Sequence, residues 1–335
     1  MTAPMALDFI CPQCRSPVHA AGEGYFCGTC DRFYPVLFGI PDFRLSGDQY
    51  LALEEERAKA GRLHAYGLKH DFAALVAFYY SITDDVPPKL ARAFANYVLK
   101  ASGRAGRQLR LLAPTGGNAL LDLGCGSGGG LVAGADHFKV RTGVDIALRW
   151  LVIAQKRLTE AGVDAQLVCA DAEALPFANR TVSHVLASDF IENARAPKAA
   201  LCSAASVMET GGRIYISASN GRWVGPHPAT GIWSAGLIPE RARSSLLTRR
   251  HPIDILRAVS FVSPASVLQM ARTCDLRHLT TKPFVPDREQ LIDRSAVFRM
   301  FARIYALLAK APIAQALLVA AGPAFQSLFV KEGTT

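Results

Sequence analysis

The chain has 335 residues, half of them apolar, and its 27 Gly and 19 Pro are near the average for a folded protein, which excludes a collagenous or low-complexity chain. That length accommodates one large domain plus a small companion. The 37 Lys and Arg against 28 Asp and Glu give a net charge of +9, a balance that suits an acidic partner (nucleic acid, anionic lipid, a phosphorylated substrate) and equally a plain soluble surface. The first residues, MTAPMALDFI, carry no cationic run ahead of an apolar core, so no secretory signal is expected. The most apolar stretch, APIAQALLVAAGPAF at 311–325, is shorter than the roughly 20 residues a spanning helix needs and is interrupted by Gly322 and Pro323. A soluble, cytoplasmic protein is the expectation.

In chain order, the first feature is CPQCRSPVHAAGEGYFCGTC. Cys11, Cys14, Cys27 and Cys30 form two C-x2-C pairs that can close a tetrahedron about Zn2+ and leave no ligand position open, which is the pattern of a structural site. A disulfide pairing is the rival reading, disfavoured in a cytosolic chain. The other four cysteines, Cys125, Cys169, Cys202 and Cys274, stand singly in apolar contexts and read as free thiols. Residues 8–44, with CP-x-C, the later CxxC and the ending YPV-x-x-GIP-x-F, resemble the small zinc-ribbon proteins that activate RNA- and protein-directed methyltransferases. The domain expected here is a zinc ribbon over 1–45.

Helical patterns follow over 46–115 as a linker or cap. Ser46 and Gln49 have capping-box spacing ahead of YLALEEERAKAGRLHAYG, DFAALVAFYYSI is a second helix, and KLARAFANYVLKASGRAGRQLRLL is a third. Tyr79 and Tyr80 are adjacent and point to different sides of their helix. Core packing is expected for each, with acceptor binding as the alternative.

From residue 116 the chain alternates short apolar runs with helical periods: ALLDLG, KVRTGVD, AQLVCA, SHVLAS and GGRIYISAS separated by helices. That alternation predicts an α/β domain with a doubly wound, mostly parallel sheet covered on both faces, over 116–335. LRHLTTKPF and GPAFQSLFVK are read as sixth and seventh strands. Ligands in such sheets bind at the carboxyl ends of the strands, near the switch in strand order.

The loop LGCGSGGG satisfies the dinucleotide spacing at Gly124, Gly126 and Gly129, and no Gly-Lys-Ser/Thr follows, so a Walker-type loop is excluded. Asp122, two residues ahead of the first glycine, is a poor neighbour for pyrophosphate and a good one for a cation. S-adenosyl-L-methionine carries both an ammonium and a sulfonium, and a buried acid needs such a partner. Asp145 ends the next strand where an acid can bind ribose hydroxyls, and Asp171 follows the third strand where it can accept from an adenine amine.

With these residues the chain resembles the class I, Rossmann-like S-adenosylmethionine-dependent methyltransferases, of the ubiquinone/menaquinone-biosynthesis type, over 117–220 and more weakly beyond. The resemblance implies that Asp122, Gly124, Cys125, Gly126 and Gly128 surround the methionine moiety. It implies that Asp145 binds ribose, Ile146 packs on adenine, and Asp171 with Ala172 meets the adenine edge. Ser188 and Asp189 would form the wall between cofactor and acceptor. The family's D-x-x-E-H-V run is DFIENA here, so Glu192 is kept while Asn193 replaces the usual His, and METGGRIYI has Thr210 for the usual proline. Glu192 reads as a catalytic or acceptor-orienting group or as a helix cap, and Asn193 as an acceptor contact.

Transfer of a methyl group from a sulfonium is an in-line displacement that needs alignment and a dry site more than a catalytic dyad. A Gly-, Pro- and Trp-rich loop at 220–252 lies on the acceptor side, and loops of that length tend to be functional. Trp223 and Trp233 are its candidate contacts and His227 its candidate base, although lone loop histidines are usually bystanders. A helical insertion is expected at 295–322. Within it, residues 296–310 carry Arg299, Arg303 and Lys310 among apolar positions and read as a covering helix, with peripheral contact to a membrane surface as the alternative. The expected reaction is methyl transfer to an O or N atom of a small-molecule or glycan/lipid-linked acceptor. An RNA methyltransferase using the ribbon for positioning is the alternative, weakened because Lys and Arg are spread along the chain and no N/D-P-P-Y signature follows the fourth strand. A partner that holds the cofactor only structurally is the remaining class, and a full set of cofactor residues argues against it.

Overall fold

The computed structural model describes residues 6–48, 51–83, 88–226, 233–239, 259–291 and 295–333. A four-stranded antiparallel sheet opens the fold: β1 (His19–Ala21), β2 (Gly24–Cys27), β3 (Arg32–Leu37) and β4 (Ile40–Pro41), in that order. Four helices follow: α1 (Leu53–Gly67), α2 (Phe72–Ser81), α3 (Pro88–Leu99) and α4 (Ala101–Leu112). The Asp71 carboxylate caps α2 by accepting from the Ala74 amide at 2.8 Å. The third predicted helix is two helices, with the break at Lys100. Ser46 does not cap α1, whose N-cap is Ala52 with no side-chain bond.

The main sheet contains β5 (Gly117–Leu123), β6 (Phe138–Asp145), β7 (Gln166–Cys169), β8 (Val182–Ser188), β9 (Met208–Ser219), β10 (Leu276–Pro283) and β11 (Ala324–Lys331). Its order is β10-β11-β9-β8-β5-β6-β7. β7, β6, β5, β8 and β9 run parallel, and β11 is antiparallel to both β9 and β10. This is a seven-stranded, mostly parallel, doubly wound sheet. The buried strands carry the near-continuous apolar runs that such a sheet requires, as in Leu120, Leu121 and Leu123. Because β5 pairs with β6 on one side and β8 on the other, the strand order reverses at its carboxyl end. The glycine loop therefore opens at the switch point.

Helices α5 (Gly129–Ala133), α6 (Leu148–Ala161), α7 (Pro197–Val207) and α8 (Pro264–Arg272) connect these strands. Gly162, at φ +64°, ends α6 in the left-handed conformation. A short α9 (Arg288–Leu291), then α10 (Ala296–Leu308) and α11 (Pro312–Ala321), lie between β10 and β11. The expected insertion at 295–322 is thus a helical pair, bent at 309–311.

The N-terminal sheet packs onto the main one, its Tyr34 and Phe43 sharing one continuous core with Val168, Leu175 and Phe177. The Phe43 amide donates to the Cys169 carbonyl at 2.7 Å, so the ribbon's tail extends the sheet past β7 and covers an edge that would otherwise be open. Arg15 clamps the same border, donating to the carbonyls of Leu175 and Phe177 at 2.8 Å each. One expectation is corrected: Cys202 on α7 and Cys274 beyond α8 are joined as a disulfide, so only Cys125 and Cys169 of the four scattered residues are free. Sequence separation of 72 residues hid that pairing.

Candidate functional site

The glycine loop is shaped by three residues in the left-handed region, Gly124 at φ +72°, Gly126 at +48° and Gly128 at +74°. L-side chains rarely adopt that conformation, so the sequence spends glycines here. At Gly130, in the first turn of α5, a Cβ would collide with the Asp122 carboxylate. The absence of side chains lets the loop and the helix start close over Asp122.

Asp122 itself is buried at the end of β5 and receives no hydrogen bond from the described residues. Burial, and then the charge of Asp145, raise its pKa to about 7. Its carboxylate borders a cleft of about 200 Å3 that is open to solvent. Gly124, Cys125, Gly126, Ser127, Gly129 and Gly130 form one wall. On the other wall α4 presents Ala101, Arg104, Ala105 and Gln108, one helical face at i, i+3, i+4 and i+7. Trp150, Ser188, Asp189 and Tyr97 complete it.

Asp189 has φ +52°, a turn that carries its carboxylate off the end of β8. The Tyr97 hydroxyl donates to it at 2.6 Å and the Ser217 hydroxyl at 3.1 Å. Burial and the charge of Asp189 push the Tyr97 phenol well above its usual range, so that hydroxyl keeps its proton. The Arg104 guanidinium stacks 3.5 Å from the Tyr97 ring centroid and donates to the Tyr97 carbonyl. Gln108 donates to the Ser188 hydroxyl at 2.7 Å, locking the floor beside it.

Residues 121–216, from β5 through most of β9, match the family model described as Methyltransferase domain. The chain carries a methyltransferase domain. Its cofactor class is S-adenosylmethionine, the methyl donor of such domains. No curated protein sequence matches the chain. Among solved structures, it is similar to Haemonchus contortus phosphoethanolamine N-methyltransferase 2 in complex with S-adenosyl-L-methionine, at 15% identity over 73% of this chain and 59% of that one, TM-score 0.48. The YcgJ protein of Bacillus subtilis aligns at 16% identity over 69% of this chain and 100% of that one, TM-score 0.45. A chain from the complex between the Haloferax volcanii Trm112 methyltransferase activator and a methyltransferase aligns at 18% identity over 71% and 98%, TM-score 0.41.

The enzyme's remaining expected residues fall in three groups. Asp145 and Asp171 lie near the cleft but are engaged by the chain itself. Asp145 accepts from the amides of Gly126 and Ala147, both at 2.9 Å, and so braces the glycine loop. Asp171 accepts from the Leu45 amide at 2.7 Å, the Ser46 amide at 3.3 Å and the Ser46 hydroxyl. The residue expected to accept from an adenine amine is thus engaged by the strap that joins ribbon to α1. Ala172 is buried in the core beside it, and Ile146 gives its carbonyl to Arg44 at 3.1 Å.

Glu192 is buried outside the cleft lining, where it accepts from the Ser219 amide at 3.0 Å, and its Oε2 has no partner among the described residues. Burial, then the charge of Asp189, raise its pKa to about 8. A proton on Oε2 fits that setting. Asn193 donates to the Asp189 carbonyl at 2.8 Å and stabilises the turn rather than the cleft wall.

Tyr79 and Tyr80 line no part of the cleft. Tyr79 is buried against Trp150 with ring centroids 4.5 Å apart, supporting that cleft residue from behind, and Tyr80 packs edge-on against it. The tyrosine that does reach the cleft, Tyr97, lies one helix later. The Trp223 indole donates to the Pro226 carbonyl at 3.1 Å, and Trp233 is exposed. His227 and the rest of the expected 220–252 loop, beyond residues 220–226 and 233–239, lie outside the described residues.

The four N-terminal cysteines are brought together, with all their Sγ atoms within 4.8 Å of one another. The Cys11–Cys30 and Cys14–Cys27 sulfurs are 3.5 Å apart, pairs that suit a tetrahedron of Zn–S bonds near 2.3 Å.

Proposed function

We propose that the cleft between the glycine loop and α4 holds S-adenosyl-L-methionine with its amino-acid end on Asp122. There the enzyme transfers the methyl group to an O or N atom of a small-molecule or lipid-linked acceptor approaching past Tyr97 and Asp189. The observation that carries this reading is the buried Asp122 carboxylate, unpartnered within the described residues and facing the cleft. A buried acid in that state is stabilised by a cation, which an ammonium supplies. The cradle also fits, because glycines at these left-handed positions let the loop backbone approach a ligand with no Cβ in the way.

When bound, the cofactor supplies an electrophilic methyl on sulfonium. The chain's contribution is alignment and exclusion of water. Asp122 orients the donor, Trp150 and the loop wall shield it, and Ser188 with Gln108 fixes the floor. The Tyr97–Asp189 pair offers a hydroxyl and a carboxylate at the acceptor side, so it can orient an acceptor hydroxyl or amine and receive its proton. The resemblance to the ubiquinone/menaquinone-biosynthesis type supports a small or lipid-linked acceptor. The four sulfurs support structural Zn2+ in the ribbon, held by Cys11, Cys14, Cys27 and Cys30.

The test uses methyl-labelled S-adenosylmethionine with the purified enzyme and lysate, counting label separately in RNA and in the organic-soluble and small-molecule fractions. Label in the latter two supports the reading. Label that disappears with nuclease overturns it. Asp122→Asn is expected to weaken cofactor binding on the order of 10- to 100-fold by calorimetry, the loss of one charge-assisted contact.

A further inference from the structure

A covering helix presents its bulky apolar stripe to the protein and its polar side to water. α10 does the reverse. Val297, Met300, Phe301, Ile304, Leu307 and Leu308 recur at helical spacing along one face, and all are exposed, Phe301 at 61% and Leu307 at 66%. Its half-buried, inward residues are Ala302, Tyr305 and Ala306. α11 continues the pattern, with Ile313 81% exposed and Leu317 turned out as well. Neither helix has a fully buried residue. An apolar surface of this extent on a soluble face marks an interaction site.

The topology fixes where that surface sits. β11 is antiparallel to β9 and to β10, so β10 runs parallel to β9 and ends at the sheet's carboxyl edge. The segment between Pro283 and Ala324 therefore leaves from that edge and returns to it. The cleft opens on the same edge. Asn220, just past β9, donates to the Val319 and Ala320 carbonyls at 3.3 Å, which holds the end of α11 there. At the other end, Asp287 pairs with Arg107 on α4, the helix that forms a cleft wall. Further apolar side chains are exposed on neighbouring elements: Phe94, one turn ahead of Tyr97, and Val224 and Trp233 on the segment after β9.

Charge selects the occupant. Residues 294–323, from just before α10 to just past α11, contain no Asp or Glu and four cations, Arg294, Arg299, Arg303 and Lys310. Arg303 and Lys310 are exposed alongside the apolar stripe. Apolar bulk flanked by cations is the chemistry of a helix lying in the interface of an anionic bilayer. No helix among the described residues is long and apolar enough to cross a membrane, so the pair lies on the surface.

We infer that α10 and α11 form an interfacial anchor that seats the mouth of the cleft against an anionic lipid bilayer, so that the acceptor is a lipid-phase molecule. The acceptor clause rests on reading the cleft as the methyl-transfer site, whereas the anchor does not. The experiment is co-sedimentation of the full, zinc-loaded chain with phosphatidylcholine vesicles and with mixed phosphatidylcholine–phosphatidylglycerol vesicles. The chain is expected to pellet with the mixed vesicles and to be released by salt. Phe301→Ser/Leu307→Ser should lower the partition coefficient on the order of tenfold or more. Arg303→Gln/Lys310→Gln should lower it roughly fivefold per charge and only on anionic vesicles. All four positions are exposed, so the variants are expected to keep the parent's melting temperature and its calorimetric affinity for S-adenosylmethionine. Loss of cofactor binding in the parent would break the cleft reading and leave the anchor standing. Failure of the parent to bind anionic vesicles overturns the anchor. So does a dimer in solution that Phe301→Ser/Leu307→Ser converts to monomer, since the face then serves a second copy.

Discussion

Asp122 and Glu192 are both buried carboxyls with raised pKa values, yet their surroundings assign them different work. Asp122 faces open space and can be ionised by an incoming cation. Because its pKa in the free enzyme is about 7, binding a cation below that pH must first expel a proton. The affinity for S-adenosylmethionine is expected to fall about tenfold per unit as pH drops below 7. Calorimetry in buffers of different ionisation enthalpy should detect the released proton. Glu192 faces an amide and has one oxygen without a partner among the described residues. Its folded pKa of about 8 lies above the value of an unfolded glutamate. The folded state therefore holds a proton that the unfolded state lacks across that window, and stability is lost as pH rises toward 8. Thermal melts of Glu192→Gln should show a flatter profile between pH 5 and 8 than the parent. The sequence marked both acids because each sits at a motif position. It could not separate them, since whether a carboxylate looks into a cleft or into a strand end is decided by packing. Tyr97, Arg104 and Gln108 carried a weaker signal, a small-and-polar face at helical spacing in α3 and α4 that has meaning only once α4 is set against the glycine loop.

Among the elements, the strap between β4 and α1 carries the densest buried charge. Arg44 pairs with Asp42 at 2.7 Å and with Glu56 at 3.1 Å, while Arg149 on α6 pairs with Asp48 and Glu56. Glu56 also accepts from the Arg149 amide at 2.9 Å. This cluster ties the ribbon's tail and α1 to the corner after Asp145. Removing one member strands the others in a dry site, so Glu56→Ala should cost about 3–5 kcal/mol in denaturant unfolding. A Glu56→Gln variant should recover part of that loss, because its amide oxygen can still accept. Nothing in YLALEEERAKAG distinguishes Glu56 from its exposed neighbours by pattern, and the cluster spans residues 42 to 149. The α10 stripe was legible as amphipathic, whereas the direction in which it points is a property of the assembled fold.

At the scale of the molecule, strand content and the sheet's direction followed from alternating apolar runs and helical periods, and the glycine loop fell at the switch point as that topology requires. The expected division into ribbon, linker and catalytic domain is less distinct in three dimensions, because one core runs from Tyr34 to Phe177 and the strap closes on Asp171. Chelating the four thiols should therefore disturb more than the first 45 residues. Metal analysis is expected to find one zinc per chain, and its removal should lower the melting temperature and weaken cofactor binding together. A ribbon that melted alone, leaving cofactor affinity unchanged, would contradict that coupling.

The shared core also has a consequence for the order in which the chain is made. Phe43 leaves the ribosome well before Phe177, which belongs to the same core. At roughly 5–20 residues per second, the ribbon's aromatic face waits on the order of ten seconds for its partner. During that interval metal loading can close the four-cysteine knuckle, but the surface around Phe9, Tyr25 and Phe43 stays uncovered. Nascent chains stalled between residues 45 and 165 should therefore be the ones that recruit chaperones, and chains released past β7 should not.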